Sequence, residues 1–149
     1  KAALARDHGC DHTILYKSES VPERVRELTA GAGVPVVYDS VGKDTFEGSL
    51  DSLAPLGMLV SFGNASGPVP PFEPGILSAK GSLFFTRPTL MTYTAKREDL
   101  AAAAEELFDV VGSGAVKIEV NQTYPLAEAA QAHRDLEARK TTGSTVLLP

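Results

Sequence analysis

The most constraining feature of the sequence is the run Val34-Pro-Val-Val-Tyr38, which is almost wholly apolar and rich in β-branched residues. A strand with one wet face alternates apolar and polar side chains. A strand buried on both faces does not, and such strands belong to parallel sheets covered by helices. The chain repeats this theme. Met58-Leu-Val-Ser-Phe62 and Ser82-Leu-Phe-Phe-Thr86 read as further strands, and His12-Thr-Ile-Leu-Tyr16 and Ser144-Thr-Val-Leu-Leu148 as shorter ones. Val116 to Val120 alternates, as a half-exposed strand would.

Helical patterns fall between these strands. Lys1 to His8 is alanine-rich and Gly9 suits its end. Ser20-Val-Pro-Glu23 reads as a capping box opening a helix with Val25 and Leu28 on its buried stripe, ended by Gly31 to Gly33. Phe46, Leu50, Leu53 and Leu56 recur at helical spacing up to Gly57. Leu100, Ala103, Ala104, Leu107 and Val111 mark a long amphipathic helix, and Leu126, Ala130, His133 and Leu136 a last one after Pro125. Gly63 to Gly75 is a Gly/Pro-rich connection of a length that often carries function. Strand–helix alternation of this kind predicts an α/β fold with a parallel sheet, whose ligands sit beyond the C-terminal ends of the strands. Two such ends are distinctive: Asp39-Ser-Val-Gly42 and Gly63-Asn-Ala-Ser-Gly67. Their small residues let backbone approach a ligand closely, although a glycine there also serves simply to make a tight turn.

Composition narrows the function classes. A formal net charge of −5 over 149 residues argues against broad electrostatic binding of nucleic acid. No apolar run approaches the roughly 20 residues of a membrane helix. The single Cys10 permits no internal disulfide, which fits a cytoplasmic protein, and it reads as a buried or half-buried spectator. The three histidines are isolated in sequence, and no paired Cys or His spacing suggests zinc. His133 falls on the apolar stripe of its helix and reads as a core histidine. The chain opens inside a helical pattern without Met, as a piece of a longer polypeptide would.

Taken together, Val36-Val-Tyr-Asp-Ser-Val-Gly42, Leu59-Val-Ser-Phe-Gly-Asn-Ala-Ser-Gly67, Lys80-Gly-Ser-Leu-Phe-Phe-Thr-Arg-Pro88 and Thr142-Gly-Ser-Thr-Val-Leu-Leu-Pro149 resemble, in order and spacing, the NADPH-dependent quinone oxidoreductases. These form the zeta-crystallin-like, zinc-free branch of the medium-chain dehydrogenase/reductase superfamily. The resemblance runs the whole length of the chain. It implies a partial Rossmann fold, a doubly wound parallel sheet lacking its first strands, over residues 1–115. It implies that 116–149 returns to a GroES-like catalytic domain. The Gly-rich turn that cradles the cofactor's pyrophosphate has no counterpart in the sequence.

By resemblance, Lys1, Tyr16 and Arg139 stand near the 2′-phosphate of NADPH, where cations favour a phosphate. The residues also admit plainer roles: a terminal charge for Lys1, strand packing for Tyr16, and a complement to its helix C-terminus for Arg139. The resemblance places Ser40 and Val41 on the adenosine side of the groove. It places Phe62, Gly63 and Asn64 along the nicotinamide riboside, and Thr86, Pro88 and Leu90 at the nicotinamide end. For Phe62, Thr86 and Leu90 core packing is the alternative. The implied reaction passes a hydride from NADPH to a quinone, chemistry that the cofactor carries, so no acid–base residue is expected. An enoyl-thioester reductase of the same superfamily is the alternative enzyme. By itself the 149-residue chain is expected to be inactive, a binding or structural module. The resemblance further implies a homodimer formed through the strand Ser82 to Thr86.

Overall fold

The computed structural model describes every residue from Lys1 to Pro149. Contacts divide it into two units, Ala2–Thr92 and Tyr93–Pro149, the latter together with Lys1.

The first unit is built on three parallel strands, β1 (Val34–Asp39), β2 (Leu53–Ser61) and β3 (Phe84–Thr86), in that spatial order. Val37, Leu59 and Phe85 lie in register across the sheet and turn to one face. There Leu59, Leu53 and Leu83 pack with Phe46 and Leu50 of α3 (Phe46–Asp51) into the core. Leu59 is completely buried, a burial that stabilises the unit by about 1.5–3 kcal/mol. Ile76 and Leu77 of α4 (Gly75–Ala79) pack against the same cluster. The period-2 geometry of a strand sends the alternate residues the other way. Val36, Met58 and Phe84 form a second row across the sheet, and all are exposed, as is Tyr38.

Two helices precede the sheet, α1 (Ala2–Asp7) and α2 (Val21–Leu28). Arg26 ties α2 to the chain reversal ahead of the central strand. Its guanidinium donates to the carbonyls of Gly31 at 2.9 Å, Asp51 at 3.0 Å and Leu53 at 3.3 Å.

The second unit follows the short α5 (Leu90–Tyr93). It contains α6 (Arg97–Gly112), β4 (Val120–Pro125), α7 (Ala129–Glu137) and β5 (Ser144–Leu148). β4 and β5 form a separate parallel pair. Gln122 reinforces it by donating to the carbonyls of Thr142 and Ser144 and to the hydroxyl of Thr145.

Parallel pairing, β1 and β5 agree with the sequence reading, but several segments depart from it. Residues 12–16 form no strand. Residues 12–15 are irregular and the chain turns from Tyr16 onward, with the Leu15 amide donating to the Glu19 carboxylate at 2.6 Å. Ser20 stands at the N-cap of α2 without a side-chain capping bond, so no capping box forms. The helix expected through Leu56 ends at Asp51, and Leu53 already begins β2. Leu53 sits in the same core either way, which is why its spacing misled. Leu56 is exposed, with φ at +63°. The strand expected over 116–120 begins only at Val120, and Val116 and Ile118 are exposed. His133 is exposed; the buried residue of α7 is its neighbour Ala132. Cys10 is exposed too.

Candidate functional site

The C-terminal tips of β1 and β2 meet at one rim of the sheet. The tip of β1 is organised by Asp39, which is only 6% exposed. One carboxylate oxygen accepts from the amides of Val41 at 2.7 Å and Gly42 at 3.0 Å. The other accepts from the hydroxyls of Thr45 at 2.8 Å and Ser49 at 2.7 Å. Every partner is a donor, so the arrangement favours the ionised carboxylate. Burial by itself would raise the Asp39 pKa. The bonds from Ser49, Thr45, Gly42 and Val41 outweigh it and hold the group below its ordinary value.

The turn so formed is joined to the tip of β2. The Phe62 amide donates to the Asp39 carbonyl at 2.8 Å, Ala65 to Ser40 at 3.2 Å and Ser66 to Val41 at 2.8 Å. In return the Lys43 amide donates to the Gly67 carbonyl at 3.1 Å. Glycine is required at this junction. A Cβ on Gly42 would stand 2.5 Å from the Gly67 carbonyl, and one on Gly63 would strike the Ser40 backbone. Gly42 also has φ of +91°, a region that other L-residues rarely enter.

Ser40, Val41, Gly63 and Asn64 therefore share one rim, as the sequence reading required. Phe62 is 51% exposed and Leu90 74%, so neither is a core residue. Thr86 ends β3 beside Val60, and Pro88 follows it, both half-buried. Next to the rim lies an open groove of about 490 Å³, whose wall includes Ser61, Asn64, Val69, Phe72, Phe85 and Arg87. The loop that forms one side is pinned by Phe72, whose ring packs at a tilt against Phe46, 4.9 Å between centroids, and edge-to-face against Phe85 at 5.4 Å. Sequence reasoning missed Phe72, Phe85 and Arg87. Arg87 directly follows the last residue of β3, and a cation at a parallel strand's end was the available signal.

Tyr16 occupies a turn of the first unit and lines a different hollow, of about 270 Å³, with Ser20, Pro22, Thr45 and Ser49 among its neighbours. Lys1 and Arg139 belong to the second unit. Arg139 follows α7 with φ of +58°. Its amide donates to the Leu136 carbonyl at 2.9 Å, and that of Lys140 to the Asp135 carbonyl at 3.0 Å. This pair of bonds is the Schellman helix end, whose left-handed position glycine normally fills. Beside it, the Asp135 carboxylate accepts from Gln131 at 3.0 Å, Lys140 at 3.2 Å and Tyr124 at 3.0 Å. These bonds hold Asp135 below its ordinary pKa against desolvation, while desolvation and the bond to Asp135 raise Tyr124.

The structure contains no group of three or more His, Cys, Asp or Glu side chains that could hold a metal ion. No helix is long and apolar enough to cross a membrane.

Residues 8–147 match the family described as zinc-binding dehydrogenase. Quinone oxidoreductase of Pseudomonas aeruginosa is 62% identical over 149 residues, covering all of this chain and 46% of that protein. The 2-haloacrylate reductase of a Burkholderia species is 48% identical over 150 residues, covering all of this chain and 45% of that one. Among solved structures, Escherichia coli quinone oxidoreductase complexed with NADPH is 49% identical at a TM-score of 0.94, with 99% of this chain and 46% of that one covered. The chain thus spans just under half the length of the relatives it matches. With a family match across nearly its whole length, the chain belongs to the zinc-binding dehydrogenase family, and quinone oxidoreductases are among its relatives.

Proposed function

We propose that this chain is the nucleotide-binding side of an NADPH-dependent reductase whose acceptor is a quinone. The observation that carries the reading is the joined rim of β1 and β2. Two adjacent parallel strands end in glycine-bearing turns that present Ser40, Val41, Phe62, Gly63 and Asn64 at the edge where α/β sheets receive nucleotides. The rim suits the nucleoside part of NADPH. Backbone is brought close by residues that leave no room for a Cβ, and Ser40 and Asn64 offer hydrogen-bonding side chains in exposed positions. Thr86 ends β3 at the same edge of the sheet, and we assign it, with Pro88 and Leu90 of the segment that follows, to the nicotinamide end. The cations Lys1 and Arg139, with Tyr16, are assigned to the 2′-phosphate.

NADPH, when bound, supplies the hydride. The chain's own residues bind and orient it and limit access of water from the side of Phe62 and the 68–72 loop. The site works without zinc in this proposal. Residues 1–115 form the Rossmann part, and 116–149 rejoin the catalytic domain. The protein is a cytoplasmic homodimer formed through residues 82–86, which light scattering of the purified protein tests.

The 2-haloacrylate reductase among the relatives favours a second reading, in which the acceptor is a conjugated acid derivative and not a quinone. Both acceptors are electron-poor conjugated systems. Assay of the full-length polypeptide with NADPH against benzoquinone, and separately against crotonyl-CoA, decides between them. Turnover of benzoquinone alone supports the first reading, and turnover of crotonyl-CoA alone overturns it.

A further inference from the structure

We propose that Asp39 is the positioning residue of the nucleotide groove, the buried group that holds both rims in the shape a ligand meets. The inference rests on reading the joined strand tips as the nucleotide site. Asp39 accepts four bonds from four different residues: two amides of the 40–42 turn and two hydroxyls of the segment leading into and along α3. Its own carbonyl accepts the Phe62 amide, so it also fixes where the β2 tip departs from the sheet. Beyond this bond, the 63–67 segment receives the Lys43 amide on the Gly67 carbonyl and the Asp44 amide on the Ser66 hydroxyl. It hangs on the Ser40 and Val41 carbonyls through Ala65 and Ser66, and those carbonyls are aimed by the turn that Asp39 holds. The order of dependence therefore runs from Asp39 to Val41 and Gly42, and from there to Asn64 and its neighbours.

A group that merely anchored the start of α3 to the sheet would need only the Thr45 and Ser49 hydroxyls. The two additional bonds go to the turn itself. An amide in place of the carboxylate keeps the size but has one acceptor oxygen and no charge. If that oxygen stays on the Val41 and Gly42 amides, its NH₂ must donate to the Thr45 and Ser49 hydroxyls, which in the wild type are donors, so Asp39→Asn forces one of the two pairs to rearrange.

The test is NMR on the 149-residue protein with NADPH added to millimolar concentration, together with amide hydrogen exchange. In the wild type, NADPH should shift the resonances of residues 40–42 and 62–67. In Asp39→Asn the folded protein should bind NADPH about tenfold more weakly, and the Val41 and Gly42 amides should exchange at least roughly tenfold faster. Val34→Ala, at the opposite end of β1, lowers stability without touching the rim and should leave the affinity of the folded protein unchanged. Should Asp39→Asn not fold, Ser49→Ala removes a single donor and should weaken NADPH about twofold to threefold. No shift at these residues in the wild type overturns the groove reading and this inference with it. Wild-type shifts combined with unaltered affinity in Asp39→Asn, or in Ser49→Ala where that variant stands in, overturn this inference alone.

Discussion

A side chain on Gly63 would lie 2.8 Å from the Cα of Ser40, so the tip of the central strand is seated directly against the backbone of its neighbour. Both residues come from turns that sequence reading singles out for their small side chains. The contact between them is what converts two separate turns into one rim.

Gly63→Ala should therefore be destabilising. A methyl group at this point meets backbone, which yields less easily than the end of a flexible side chain. The expected loss is about 1–3 kcal/mol, measured as a shift in the urea unfolding midpoint against wild type. A midpoint equal to wild type would show that the two turns move apart freely.

Leu59→Ala tests the core behind the rim. Leu59 is wholly buried on the central strand, and its truncation leaves a cavity that the sheet cannot close. The cost should be about 2–5 kcal/mol in chemical denaturation. Phe84→Ala, on the exposed face of the same sheet, should cost much less.

Arg139→Gly should separate function from stability. Arginine at a left-handed helix end is strained relative to glycine by roughly 1–2 kcal/mol, so the variant should melt at a higher temperature. The proposed contact with the 2′-phosphate would be lost, and the preference of the full-length enzyme for NADPH over NADH should fall. Unchanged cofactor preference would remove Arg139 from the site.

Acid should weaken the first unit through Asp39. Its folded pKa is below the unfolded value, so its contribution is complete above the ordinary carboxylate range of about 3.9 and disappears as the pH falls through the folded value. Urea midpoints measured from about pH 5 down to pH 2 should decline. The decline should be shallower in Asp39→Asn, which has no such group to titrate. Asp135 is also held low and contributes in the same direction, so the difference between the two proteins is the quantity to read.

Much of the fold was legible because its strands are apolar on both faces and its turns carry glycine. β1 could be read from Val34 to Tyr38, and its parallel partner from Met58. Periodicity failed where one side chain satisfies two patterns. Leu53 fits the leucine spacing of α3 and the inward face of β2 equally well, and the reversal at Ser52 is held from a distance by Arg26. It failed also at His12–Tyr16, where β-favouring residues have no strand beside them to pair with. At the site, Ser40 and Asn64 were visible because polar tips follow apolar strands. Asp39 stood in the same motif, yet its partners Thr45 and Ser49 become neighbours only once α3 folds back. Phe72 was hidden in a proline-rich loop whose course nothing local dictates, and the aromatic cluster with Phe46 and Phe85 draws it in.

The mutual ties between the 40–42 turn and the 63–67 turn have an entropic consequence. Lips sewn to each other by their own peptide groups arrive at an encounter already shaped, and little freedom is left for a guest to extinguish. Variation in grip among mutants of this mouth should accordingly appear in how slowly the guest leaves, with its speed of arrival almost constant.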